Sequence, residues 1–79
     1  MTLEPVDAQI YFMKNKLVPT RFLRAGRSYT VNRVTVTFER VDGGRKYVCF
    51  GVETGGAVAE LRLDTKNLRM YLAGWHAYE

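Results

Sequence analysis

The chain is poor in two residues that build many catalytic and metal centres. It contains one cysteine, Cys49, and one histidine, His76. One cysteine forms no intramolecular disulfide, and a lone thiol inside an apolar run fits a reducing compartment. A structural zinc site needs a cluster of Cys and His ligands, which is missing. The only nucleophile–base pairing on offer is Cys49 with His76. Nothing in the sequence brings the two together, and Cys49 reads as a small hydrophobe in mid-strand. No apolar run exceeds a handful of residues, against the ~20 that cross a bilayer as a helix. The opening MTLEPVDAQ carries two acids and no base, unlike a signal or transit peptide. The expectation is a cytoplasmic protein with no membrane, metal or cofactor.

What is present is apolar and aromatic. The chain has 79 residues, 47% hydrophobic and 13% aromatic. That length makes one domain, with residues 1–7 expected as a poorly ordered N-terminal arm. A domain this small buries only about 60% of its unfolded surface. The net charge is +4, unevenly placed: residues 14–46 carry nine Lys and Arg against Glu39 and Asp42, a local +7. Such a segment keeps a protein soluble, and it is also what a nucleic-acid or other polyanion site needs.

The dominant period is two. In VTVTF, Val34, Val36 and Phe38 alternate with Thr35 and Thr37, the pattern of a half-buried strand. Tyr29 and Val31 have the opposite parity, so a bulge or sharp bend is expected near Asn32-Arg33. The glycine pairs fall where hairpins turn. A two-residue turn at Gly55-Gly56, with φ > 0, pairs Val52 with Ala59, Phe50 with Leu61 and Val48 with Leu63. Cys49 then faces Arg62, and Tyr47 faces Asp64. A three-residue loop Asp42-Gly43-Gly44 pairs Phe38 with Val48, Val36 with Phe50 and Arg33 with Glu53. A third turn at Asp64–Asn67 sets Leu61 against Met70, and Arg62 against Arg69. Three hairpins thus agree on one apolar face. Neither glycine pair opens a helix, as a phosphate-binding loop requires.

The N-terminal third is less sharply patterned. Val6, Ile10, Met13 and Leu17 recur at helical spacing, yet IYFM also reads as a buried strand and KNK as a turn. Pro19 excludes a helix interior and suits a sheet edge. Strands over roughly 8–13 and 17–24 are preferred, followed by a hairpin through Ala25-Gly26 and a long strand over 28–41. The fold expected is all-β: an antiparallel meander of about six strands. With no helix to cover it, the sheet should curl into a small SH3-like or OB-like barrel.

Carboxylates give little chemistry. Glu53 and Glu60 share a polar face, but Arg33 opposes Glu53, and so short a chain has no deep cleft for paired acids. A non-enzymatic protein is expected. The polar face is the leading candidate site for DNA or RNA: Arg33, Arg62 and Arg69 for phosphates, Tyr47 and Tyr71 for stacking. The alternative is a protein partner or self-association, through a sheet edge or the aromatic C-terminus with Trp75 and Tyr78. In the plainer view Trp75 plugs one end of the barrel.

The run Pro19-Thr-Arg-Phe22, then Gly26-Arg27-Ser-Tyr29-Thr-Val31-Asn-Arg-Val34, then Glu60-Leu61-Arg-Leu-Asp64 gives P-x-x-F, G-R-x-Y-x-V-x-x-V and E-L-x-x-D. In these motifs the chain resembles a family of small bacterial all-β domains of unknown function. The resemblance covers roughly residues 17–78. Similar segments stand alone or accompany proteins resembling Y-family DNA polymerases. It implies a small all-β bacterial domain near DNA repair or replication, and assigns no residue a role.

Overall fold

The computed structural model describes residues 3–78, which hold seven strands and no helix. These are β1 (Glu4–Met13), β2 (Lys16–Arg24), β3 (Arg27–Thr30), β4 (Arg33–Asp42), β5 (Arg45–Glu53), β6 (Ala57–Asp64) and β7 (Met70–Ala77). They form one sheet in the order β3-β2-β1-β7-β6-β5-β4, and every neighbouring pair is antiparallel. The arm expected over residues 1–7 is strand from Glu4 onward: Glu4, Pro5 and Val6 pair with Leu72, Tyr71 and Met70. Met1 and Thr2 lie outside the described residues.

Local backbone chemistry sets three of the hairpins. Lys14-Asn15 (φ 50° and 63°), Ala25-Gly26 (51° and 77°) and Gly43-Gly44 (60° and 78°) are left-handed at both central positions. This is the two-residue geometry whose twist matches the strands it joins. The expected three-residue loop at Asp42 is therefore shorter, with Asp42 paired to Arg45. The turn at Gly55-Gly56 works differently. Neither glycine takes a left-handed φ. Instead the Thr54 hydroxyl accepts from the Gly56 N–H (3.3 Å) and the Ala57 N–H (3.0 Å).

The sheet curls into a half-barrel because one strand is shared between its two ends. Counting reversals through the antiparallel neighbours, β3 and β4 both run parallel to β1, and only Val31 and Asn32 separate them. They are one long strand bent at that point, as the parity change near Asn32 implies. Below the bend β3 pairs with β2, and above it β4 pairs with β5. The bend is tied to both sides: the Val31 N–H donates to the Thr20 carbonyl (2.9 Å) and the Asn32 N–H to the Glu53 carbonyl (2.7 Å). With β3 and β4 taken together, the meander has six runs.

Register decides which side chains enter. All seven β5–β6 pairs, from Tyr47↔Asp64 to Glu53↔Val58, are those the alternation dictates. The β6–β7 pairing is two residues away from expectation, with Leu63 opposite Met70 and Leu61 opposite Leu72. Asp64 is the cause. Its carboxylate accepts from the Lys66 N–H (2.9 Å), and its carbonyl from the Leu68 N–H (2.9 Å), which makes a longer loop. A shift of two preserves the faces, so Leu61, Leu63, Met70 and Leu72 still point inward. They pack with Phe22, Phe50, Val52 and Ala59 as the core. Trp75 joins them edge-on to Tyr29 (4.9 Å) and Phe22 (6.3 Å), with the Arg24 guanidinium over its outer side (4.9 Å).

Candidate binding cleft

The β4–β5 ladder slips by one residue, and that slip reshapes the surface. Arg33↔Glu53 and Val34↔Val52 hold, but Thr35 bulges out and Val36 pairs with Gly51, Thr37 with Phe50 and Phe38 with Cys49. A shift of one exchanges the faces. Val36 and Phe38, expected in the core, lie on the outer face, where they stay 50% and 39% exposed. Thr37 and Glu39 turn inward. The bulge is fixed by the Thr35 hydroxyl, which donates to the Gly51 carbonyl (3.2 Å).

Two hairpin arms project from the same end of the half-barrel. One is the upper part of β1 and β2. It stands clear because β1 pairs with β7 only over Glu4–Val6. The other is β4 and β5. The arms diverge from the bend at Val31-Asn32, leaving a cleft of about 530 Å³ between them. Leu17 and Val18 form one wall; Val34, Val48 and Phe50 form the floor and the other wall; Lys16, Thr37 and Glu39 give the polar part. β4 is an edge strand, hydrogen-bonded to β5 alone. β3 covers β2 only over Arg21–Arg24, so the segment of β2 above it is also an open edge. Apolar side chains gather on the arms: Phe12 and Val41 are each 71% exposed, and Tyr11 and Met13 are more than half exposed. On the β1–β2 arm they lie on both faces, since Tyr11 and Met13 alternate with Phe12.

The polar face expected to bind nucleic acid is largely closed. Arg62 is 3% exposed and Tyr47 is 7% exposed. The Arg62 Nε donates to Glu60 (2.6 Å), a bond that raises the guanidinium's already high pKa. Arg62 faces Tyr71 across the ladder, with Cys49 on its other side; it does not face Arg69. Arg69 is exposed in the β6–β7 loop, its N–H bonded to the Asn67 side chain. Arg33 is exposed near the bend, in the row of Glu53 and Val58, four residues along β6 from Arg62. Of the five residues, Tyr47, Arg62 and Tyr71 come together, but the first two are buried. The slipped register brings Phe38 and Arg40 beside Cys49 and Tyr47, which helps to cover this face.

The same face carries the strongest electrostatics. Asp64 is 1% exposed and receives the Arg45 Nε at 2.7 Å. The Lys66 N–H, then Arg45, hold its carboxyl below the usual range against the opposing effect of burial. Burial pushes the Cys49 thiol up, and Arg62 partly offsets this. His76 is opposite Val58, four residues along β6 from the partner of Cys49, so the two do not meet. Glu60 is engaged by Arg62. Tyr78 is 53% exposed and its N–H donates to the Gly56 carbonyl. Trp75 faces inward, so of the two C-terminal aromatics only Tyr78 is offered outward. Among the described residues no group of three or more His, Cys, Asp or Glu is placed to hold a metal ion, and no helix is long and apolar enough to cross a membrane.

None of the arm residues Tyr11, Phe12, Val36 and Val41 was a candidate site residue from sequence: Val36 was assigned to the core, and IYFM was read as a buried strand, whereas Tyr11, Phe12 and Met13 are exposed because the arm stands clear of the rest of the sheet. The one signal was that IYFM is apolar without alternation, so a strand there shows apolar groups on both faces. Comparison with protein-family models, curated proteins and solved structures finds no match.

Proposed function

We propose that the chain is a non-enzymatic protein-interaction module that takes an extended segment of a partner into the cleft, by strand addition to β4. One observation carries this: β4 is unpaired along its outer edge while it displays Val36, Phe38 and Val41 to solvent. An exposed, apolar, β-prone edge invites pairing with another chain, and proteins usually blunt such edges unless they use them. Added strands gain affinity from main-chain hydrogen bonds and selectivity from alternate side chains in pockets. The cleft beside β4 supplies such a pocket. The test is selection of peptides from a random display library, followed by hydrogen exchange. Selected peptides should slow exchange of β4 amides, and Thr37→Pro, which removes an edge N–H, should weaken them at least tenfold. Peptides that bind and leave β4 exchange unchanged would refute strand addition.

A second reading is a nucleic-acid-associated accessory module of a bacterial cytoplasm. It is favoured by Lys14 and Lys16 standing on the same arm as exposed Tyr11 and Phe12, and by the resemblance to small domains beside Y-family polymerase-like proteins. Cations near stacking rings suit a single strand. Its test is oligonucleotide anisotropy at ~50 and ~200 mM salt, where phosphate contacts show as a steep loss of affinity. Binding that is absent at the lower salt removes this reading.

A further inference from the structure

We infer that the strand added to β4 is β4 of a second copy of this chain, laid antiparallel to it about a two-fold axis; this rests on the strand-addition reading and names its partner. Antiparallel pairing of a strand with itself is isologous: where one residue meets another, the reverse pair forms as well. β4 carries Arg33 and Arg40 against Glu39 and Asp42, so it is neutral and brings no net charge to such a pairing. The turn fixes which backbone groups are free. Asp42 and Arg45 flank the two-residue turn at Gly43-Gly44, and the flanking residues of such a hairpin are hydrogen-bonded to each other. Bonded and non-bonded pairs alternate along an antiparallel ladder. Arg40, Phe38 and Val36 therefore bond β5, and Thr37, Glu39 and Val41 direct their N–H and C=O groups to the open edge.

Charge selects the register. A continuous sheet keeps its faces only where residues of like orientation meet. Centring the pair on Glu39 sets Glu39 against itself, and centring it on Arg40 sets Arg40 against itself. Like charges directly opposite are destabilising. Centring on Thr37 brings Arg33 against Arg40, once the bulged Thr35 is passed over. Centring on Val36 or Val41 leaves half the strand unpaired. Phe38 remains. In that register Phe38 meets Phe38 of the second copy, an aromatic cross-strand pair. Thr37 meets Glu39, and Val36 lies beside the Arg40 stem. Past the bulge, Val34 meets Val41 and Arg33 meets Asp42. The Arg33–Asp42 ion pair forms twice by symmetry, with Arg33 standing between its own Glu53 and the second copy's Asp42.

The same register covers what the edge exposes. Val36, Phe38 and Val41 are 50%, 39% and 71% exposed, and each is opposed by a side chain of the second copy. The inward row of the second β4, with Val34 and Val41, crosses the mouth of the cleft on the side of Phe12 and Leu17, which share the inward face of the β1–β2 arm. The strand is 10 residues long. A standard stable interface has roughly 20–30 residues a side, so this dimer is weak, with a Kd on the order of micromolar or above.

Sedimentation of the full chain between about 10 µM and about 1 mM covers that range; the mass should rise from 9.1 kDa toward twice that value. Arg33→Asp and Asp42→Arg should each raise Kd at least tenfold, because each sets like charges against each other. An equimolar mixture of the two should recover the dimer, because the variants complement each other at both ion pairs. Recovery also shows that both fold, although Arg33→Asp meets its own Glu53. Cross-linking reads the register. In a Cys49→Ala background, Phe38→Cys should give a covalent dimer under mild oxidation. Across the edge the two residues form a non-hydrogen-bonded pair about 4.5 Å apart at Cα, within disulfide reach. Val36→Cys should not cross-link: Val36 is opposite Arg40, so its two copies lie about 13 Å apart. Cross-linking at Val36 instead of Phe38, or a dimer that the mixture fails to recover, overturns the inference. A chain that stays at 9.1 kDa at the highest concentration, while selected peptides still slow β4 exchange, overturns the second copy and leaves strand addition standing. A monomer whose β4 no peptide protects overturns both.

Discussion

Replacing Gly51 by alanine tests the register that shapes the second arm. A Cβ at Gly51 would lie 2.8 Å from Val36 Cγ1 and 2.9 Å from Thr35 Oγ1. Real Cβ contacts are almost never so short. Neither neighbour moves freely. Val36 is β-branched and stiff at χ1, and Thr35 is held in the bulge by its bond to the Gly51 carbonyl. Overpacking of this kind costs about 1–3 kcal/mol. With a urea slope of about 1 kcal/mol/M for a chain of this size, the unfolding midpoint should fall by about 1–3 M. Gly55→Ala is the control: nothing lies within 4 Å of a Cβ there and its φ is not left-handed, so the change should be within about 0.5 kcal/mol. Val36→Ala added to Gly51→Ala should recover part of the loss, a coupling of about 1 kcal/mol in a double-mutant cycle. The unbulged ladder predicts the opposite sign. There Val36 faces Phe50 in the core and Gly51 faces solvent beside Thr35, where alanine would be neutral or stabilising, because glycine weakens a strand. An unchanged or raised midpoint for Gly51→Ala would refute the bulged register, and with it the outward placement of Val36 and Phe38.

Three further outcomes follow. Asp64 has a depressed carboxyl in the fold, so its contribution is complete above its unfolded value of about 4 and is lost as pH falls through the lower folded value. The stability gap between wild type and Asp64→Asn should be constant above about pH 5 and shrink toward pH 2; a gap that does not change over that range contradicts the assignment. Cys49 is 0% exposed with a raised thiol pKa, so thiol reagents should label it only as fast as the chain unfolds, and rapid stoichiometric labelling in native buffer would count against its burial. Ala25 sits at φ 51° in a tight turn; Ala25→Gly should raise stability by about 0.5–1 kcal/mol in urea unfolding, since alanine is strained there and glycine is not.

How much of the fold was legible depends on how local its cause was. The β5–β6 register was fully legible because Phe50 and Val52 on one strand and Ala59 and Leu61 on the other fall on one face about a short turn. The β6–β7 hairpin was legible in its faces but not in its pairs, because Asp64 accepts bonds from the loop that alternation does not encode. The β4–β5 hairpin was legible at Arg33 and Val34 and misread beyond them. A bulge at Thr35 and a two-residue turn at Gly43-Gly44 together shift the ladder by one, and VTVTF looks the same in either register.

The candidate site was less accessible still. The Arg62 and Tyr47 face was chosen for its residue types, and the one-residue slip of β4, which sets Phe38 and Arg40 beside them, is invisible in those types. The cleft depends on two long-range facts: the offset of β1 against β7, and a bend at Val31-Asn32 that is hydrogen-bonded to Thr20 on one side and Glu53 on the other. By itself the sequence determined an all-β meander of six runs and its inward parity in β5 to β7, because period and turn chemistry are properties of neighbours in the chain. Only the tertiary structure decided which arm residues reach solvent and where the sheet is left open, because those depend on how strands distant in sequence are offset against one another.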